Sequence, residues 1–312
     1  MSLLVVVSVL IFVIGTFGIF GNINLLIATV IVIDQRTKCT ILIGILACCD
    51  LICIIFELQN AVRILVEKQT YRLNCFWSIS PYLYVINFQS ALILMIAVDR
   101  LFAIWRPIRY RSISTRNYVL LCIIPGFISA SSIFGASIAV MEDEPIAACN
   151  PPLGYPPLIS KIWNRWIIAS DVMTIALYVV AMAVLYVRKR QFTKLDRFSA
   201  DYQFFIQQQH IMRTISVIVV AFTCSWFFCH CSVLFVTYLG LSDGVVEFVQ
   251  TVAVIPAMVC YSQNYYIYLW RSSEYRAAFK RQFLAILKCD STYCGHVNSV
   301  SVLHSVYSSP NS

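Results

Sequence analysis

Charged side chains are scarce in this chain: Asp, Glu, Lys and Arg together make up 12% of its 312 residues, against 60% for the hydrophobic types. Soluble globular domains carry roughly twice that charge, so a water-exposed domain is excluded. HExxH, a GxSxG elbow and a Walker-type phosphate loop are all missing, and the chain is expected not to be an enzyme. No Asn-x-Ser/Thr sequon occurs, so the usual glycan mark of surface delivery is absent. Inverted repeats and a relay of paired charges are absent too, which argues against a second reading, a transporter or channel.

Long apolar runs are what the chain has instead. Seven of them reach membrane-spanning length: Leu3 to Ile33, Thr40 to Val66, Cys75 to Trp105, Tyr118 to Met141, Trp163 to Val187, Ile211 to Leu239 and Val245 to Trp270. They predict an all-α membrane protein, a seven-transmembrane helix bundle. All but five of the 23 Lys and Arg residues fall on one side of it, the exceptions being Arg63, Lys68, Arg72, Lys161 and Arg165. By the positive-inside rule this predicts the amino terminus outside and the carboxyl terminus inside. The net charge of +8 is then a feature of the inner leaflet and no sign of nucleic-acid binding. The first run is expected to insert as a signal anchor.

Most of the 13 cysteines lie within spans, where they suit small apolar packing roles. Cys39, Cys289 and Cys294 face the reducing side under this topology. Cys75 and Cys149 are left in oxidising territory and are expected to form a disulfide. Cys229-His230-Cys231 is no metal site, because consecutive helical residues point about 100° apart. No metal or cofactor is implied.

Asp99-Arg100-Leu101 stands where the third run would leave the membrane on its inner side. The interval from Cys75 to Arg100 corresponds to roughly 37 Å of helix, a bilayer with part of its headgroups. An ion pair at a membrane edge is costly and therefore a functional candidate. Asp50, in the middle of the second run, is costly for the same reason and should face polar partners such as Asn22 and Asn264.

The stretch from Asp99 to Tyr110, DRLFAIWRPIRY, resembles the DRYxAIxxPxxY segment of rhodopsin-like (class A) G-protein-coupled receptors. Gly21-Asn22 is similar to the family's helix-one signature, and Leu46 to Leu51 to its LAxxDL. Phe222 to Phe228 resembles FxxCWxP with Phe228 in the proline's place, and Asn264 to Tyr268 resembles NPxxY without its proline. The two missing prolines, a short amino terminus and the DRL motif most resemble nematode serpentine chemoreceptors of the SX class.

The resemblance implies a receptor that binds an extracellular small molecule, with a chemosensory ligand as the narrower expectation, and activates a heterotrimeric G protein; a peptide-ligand receptor is the alternative. Asp99, Arg100, Leu101, Pro107, Ile108, Tyr110, Asn264 and Tyr268 would form the switch and the coupling face. The bland reading of Arg100 is a snorkelling interfacial arginine. Gln207, Gln208 and Gln209 occupy the place of an acidic residue at the foot of helix six, so a second ionic restraint is expected to be missing. Asn22, Asp50 and Asn264 would form a polar core, either sodium-sensitive or purely structural.

Phe222 and Trp226 would form an activation core, or else an aromatic packing stripe. Tyr82, Ile86, Gln89, Asp171, Trp226, His230 and Glu57 are the candidates for the ligand pocket, each polar one with the alternative of a satisfied buried group. Tyr82 replaces the aspartate of aminergic members, which argues against an amine held there. Met258 replaces the lysine of opsins, which excludes retinal attachment.

Residues 1–288 are expected to form the receptor domain, ending in an amphipathic eighth helix at the inner surface. Residues 289–312 should be a serine-rich disordered tail, open by analogy to a receptor kinase and arrestin. Cys289 and Cys294 are lipidation candidates. The other partners implied are membrane lipids, and the location is the plasma membrane as a multi-pass protein, with the sensory cilium membrane as a narrower expectation.

Overall fold

The computed structural model describes residues 3–32, 37–66, 70–146, 149–192 and 200–287. Among them, seven helices are long and apolar enough to cross a membrane. The first span is Leu3–Ile27, continued by a π-helical turn at Ala28–Val32. The second is Lys38–Leu65, the third Ser80–Trp105, the fourth Thr115–Ala139 and the fifth Pro157–Phe192. The sixth consists of Ala200–Phe222, a π-helical turn at Thr223–Phe227, and Phe228–Tyr238. The seventh is Asp243–Val252 followed by Val254–Arg271, and one more helix, Ser273–Leu287, comes after it. Cys289, Cys294 and the tail lie outside the described residues.

Helix starts are set by local chemistry. Thr37 Oγ1 accepts from Thr40 N at 3.2 Å and Ser114 Oγ from Asn117 N at 3.4 Å, which caps the second and fourth spans. The third span begins later than its apolar run. Cys75 sits on a separate short helix, Arg72–Ser78, because Pro81 at the start of the third span has no N–H to give to Trp77. Ser80 Oγ donates to the Trp77 carbonyl instead, at 3.0 Å.

Two spans are interrupted, the sixth beside the position of its missing proline and the seventh well upstream of Tyr265, which stands in place of the other. The sixth widens into its π turn just before Phe228, and hydroxyls compete for the carbonyls around it. Thr223 Oγ1 donates to Val219 O at 2.8 Å and Ser225 Oγ to Ala221 O at 2.7 Å. The seventh breaks at Ala253, upstream of Pro256, which leaves Val252 O without its intrahelical donor. Cys229 Sγ of the sixth span donates to Ala253 O at 3.3 Å.

The third span is central, packed on the second, fourth, fifth and sixth; the first lies against the second and seventh. Gly18 explains the close approach of the first span. A Cβ there would come within 2.7 Å of Ile54 Cδ1 and would also meet Ser262. Gly15 and Gly21 face Leu58 and Tyr265, so this glycine row packs inside the bundle.

One end of the bundle is tied by covalent and polar links. Cys75 and Cys149 form the expected disulfide. Thr70–Tyr71 pairs antiparallel with Pro145–Ile146, and Arg72 bridges Glu144 at 2.9 Å. At the other end, Tyr275, Ala278 and Phe279 of the last helix are buried against Leu25, Ala28, Ile43, Tyr265 and Tyr268. Phe283 is 63% exposed, while Gln282 turns inward and donates to Asn24 O. The helix docks on the first and seventh spans through Tyr275 and Phe279.

Candidate functional site

At the end opposite the disulfide, Asp99 and Arg100 close the third span and are 0% and 1% exposed. Arg100 Nε donates to Asp99 Oδ2 at 2.8 Å, and one terminal guanidinium nitrogen reaches the same oxygen. The second terminal nitrogen donates to Gln208 Oε1 of the sixth span at 3.2 Å. Tyr110 Oη accepts from Arg100 at 3.2 Å. A fully desolvated guanidinium is retained here because one carboxylate and two neutral oxygens share its protons.

Tyr110 belongs to a short helix, Pro107–Ser112, which Pro107 starts with its pre-set φ. Burial pushes the Tyr110 phenol well above its usual range. Lys38, at the first turn of the second span, donates to the Tyr110 carbonyl and lies 4.4 Å from the Tyr110 ring and 5.2 Å from that of Tyr118. Lys38 was not among the residues that sequence reasoning singled out. Ile108 points away from these anchors and is 73% exposed. Leu101 packs with the Tyr178, Leu185 and Met212 cluster of the fifth and sixth spans.

In the middle of the bundle Asp50 accepts from Asn264 Nδ2 at 2.9 Å and from Gln89 Nε2 at 2.7 Å. Asn22 is not its partner: its amide donates to Tyr261 O at 2.9 Å and Gly18 O at 3.1 Å. Gln89 therefore belongs to the polar core. Among the described residues no cluster of three or more His, Cys, Asp or Glu side chains could hold a metal ion. Tyr268 is buried with its ring 4.6 Å from that of Tyr275, which joins the seventh span to the last helix.

Toward the disulfide end a cavity of about 520 Å³ opens between the second, third, fifth, sixth and seventh spans. Glu57, Tyr82, Ile86, Trp226 and His230 line it; Gln89 and Asp171 do not. Glu57 accepts from Tyr82 Oη at 2.7 Å and from Asn60 Nδ2 at 3.1 Å. The Tyr82 and Tyr261 hydroxyls are 3.4 Å apart, and the Tyr261 ring lies 5.5 Å from Trp226. His230 meets Trp226 edge to face with ring centroids 4.6 Å apart, while its Nδ1 meets Asn164 Oδ1 at 2.6 Å. Asn164, like Tyr155 and Trp163 in the same wall, carried no motif and was not anticipated. Phe222, 5% exposed, stands below Trp226 and borders both the cluster around the cavity and the Asp50 core.

The arrangement is a solvent-accessible cavity, an aromatic and polar column beneath it, and a buried arginine at the far end. It has the layout of a signalling bundle. No curated protein matches the chain. Residues 15–283 match the model of the family described as serpentine type 7TM GPCR chemoreceptor Srsx. A seven-span bundle matched over that range is a multi-pass protein of the plasma membrane and points to a receptor rather than an enzyme. The chain belongs to the Srsx family of serpentine seven-transmembrane chemoreceptors.

Proposed function

We propose that this chemoreceptor binds an extracellular small molecule in the cavity between its spans and activates a heterotrimeric G protein through the Arg100 end. The observation that carries the reading is Arg100 itself, buried and shared between Asp99, Gln208 and Tyr110. Exchanging these acceptors for others on a partner makes a two-state switch, because the guanidinium cannot be left unpaired. Ligand binding would act on Trp226, which floors the cavity, and through Phe222 and the Asp50 core on the seventh span.

In this reading the amino terminus is outside, the disulfide end is extracellular and Arg100 is cytoplasmic. Ile108 is the exposed apolar plug for the G protein, held out by Pro107 and Tyr110. The helix Ser273–Leu287 lies at the inner surface, and the residues beyond it would serve a receptor kinase and arrestin.

The reading is tested by expressing the chain in cells with and without a promiscuous G-protein alpha subunit. A ligand-evoked response that requires the alpha subunit supports it. Ion flux that does not require any G protein belongs to a carrier and refutes it.

A further inference from the structure

The polar groups facing the cavity are unevenly matched. Glu57, its buried carboxylate, already accepts a hydrogen bond at each oxygen, from Tyr82 and Asn60. Arg72 is paired with Glu144. His230 is held through Nδ1 by Asn164, whose own amide reaches back to His230 O, so the imidazole carries its proton on the Asn164 side.

Among the donors that remain, two are cations. Trp163 is 2% exposed, and its indole N–H has no hydrogen-bond partner among the described residues. A buried donor in that state is costly unless something accepts from it. Lys161 and Arg165, exposed and four residues apart on the fifth span, also line the cavity and carry no ion pair among the described residues. Much of the rest of the lining is aromatic or aliphatic, with Trp226, Ile86, Val233 and Val254 in the walls, and Asn150, Ser160, Thr237 and Gln250 add neutral polar groups.

From the two cations at the rim we infer that the ligand is an organic anion: a carboxylate or similarly charged group on Lys161 and Arg165, with an apolar body against Trp163, Trp226 and their neighbours. Charge-assisted hydrogen bonds from a lysine and an arginine are stronger than neutral ones, and a site built from unpaired donors rejects ligands without an acceptor. A cationic ligand would meet two like charges at the rim, and the carboxylate of Glu57 is 1% exposed and already accepts two hydrogen bonds. The inference rests on the proposed use of this cavity as the ligand site.

The test uses the full chain in lipid nanodiscs and a panel of water-soluble aromatic and cycloaliphatic carboxylates, each with its matched alcohol and amine. Binding is read from the thermal shift and from tryptophan fluorescence, neither of which needs a G protein. The expected result is that the best carboxylate binds about tenfold or more tightly than its alcohol and amine. That ratio should fall toward one in Lys161→Gln/Arg165→Gln, and in the wild type the carboxylate alone should weaken with added salt. No preference for carboxylates, including no binding by any class, overturns the inference. Carboxylate binding without G-protein activation leaves it standing and refutes the coupling reading instead, while activation by neutral or cationic compounds does the reverse.

Discussion

Arg100 and Gln208 join the third span to the sixth through a hydrogen bond of 3.2 Å in which the acceptor is a neutral amide. The place of an acidic residue is thus filled by a group that holds the arginine without a second charge. Charge-assisted bonds are roughly twice as strong as neutral ones. Gln208→Glu is expected to lower ligand-free G-protein activation several-fold, and Gln208→Ala to raise it. Nucleotide exchange in membranes at matched receptor amounts measures both, and equal basal rates in all three forms would remove Gln208 from the resting restraint.

Lys38 ties the start of the second span to the Tyr110 carbonyl, and so fixes the short helix that presents Ile108. Lys38→Met keeps the stem and loses the donor. G-protein activation is expected to fall several-fold with ligand affinity unchanged, and Ile108→Ala to do the same without loss of stability, since Ile108 is 73% exposed. A parallel loss of ligand affinity would instead indicate general unfolding.

The disulfide between Cys75 and Cys149 closes a sequence separation of 74 residues. Its removal releases on the order of 4 kcal/mol of unfolded-chain entropy. Cys75→Ser is expected to lower the thermal midpoint of the purified protein markedly, and reductant should lower that of the wild type but leave the variant unchanged. A reductant effect that persists in the variant would point to another thiol.

Gly18 sits where a Cβ meets the second and seventh spans, whereas at Gly135 a Cβ meets nothing within 4 Å. Alanine favours helix over glycine by about 1 kcal/mol. Gly135→Ala should therefore be neutral or stabilising, while Gly18→Ala should destabilise through overpacking by about 1–3 kcal/mol. Thermal midpoints of the two variants compare these directly, and an equal response would show that the first span is free to shift.

Some of this was legible in sequence because it depends on cost or on short range. Asp99 and Arg100 are neighbours, and their expense at a membrane edge already marked them. Asp50 and Asn264 had to find partners, and they found each other. Cys75 and Cys149 were matched by compartment. Other features depend on angles that an apolar run does not encode.

Gln89 shares a helix face with Tyr82 and Ile86, yet it reaches Asp50, one level below the cavity. Asp171 is only 3% exposed but stands off the cavity. The break before the third span was written in Ser80-Pro81 but hidden by the apolar residues around it. The π turn before Phe228 has no side-chain signature beyond the hydroxyls of Thr223 and Ser225. Lys38 looked like one more positive-inside lysine, since nothing local reveals that it turns onto Tyr110.

The most direct test of the account is nucleotide exchange on a heterotrimeric G protein, in membranes bearing equal amounts of wild type or Arg100→Ala. It is run first without ligand and then with the carboxylate panel. The account predicts that the wild-type signal, basal or evoked, disappears in Arg100→Ala while cavity binding persists. A signal that continues unchanged without Arg100 would contradict it.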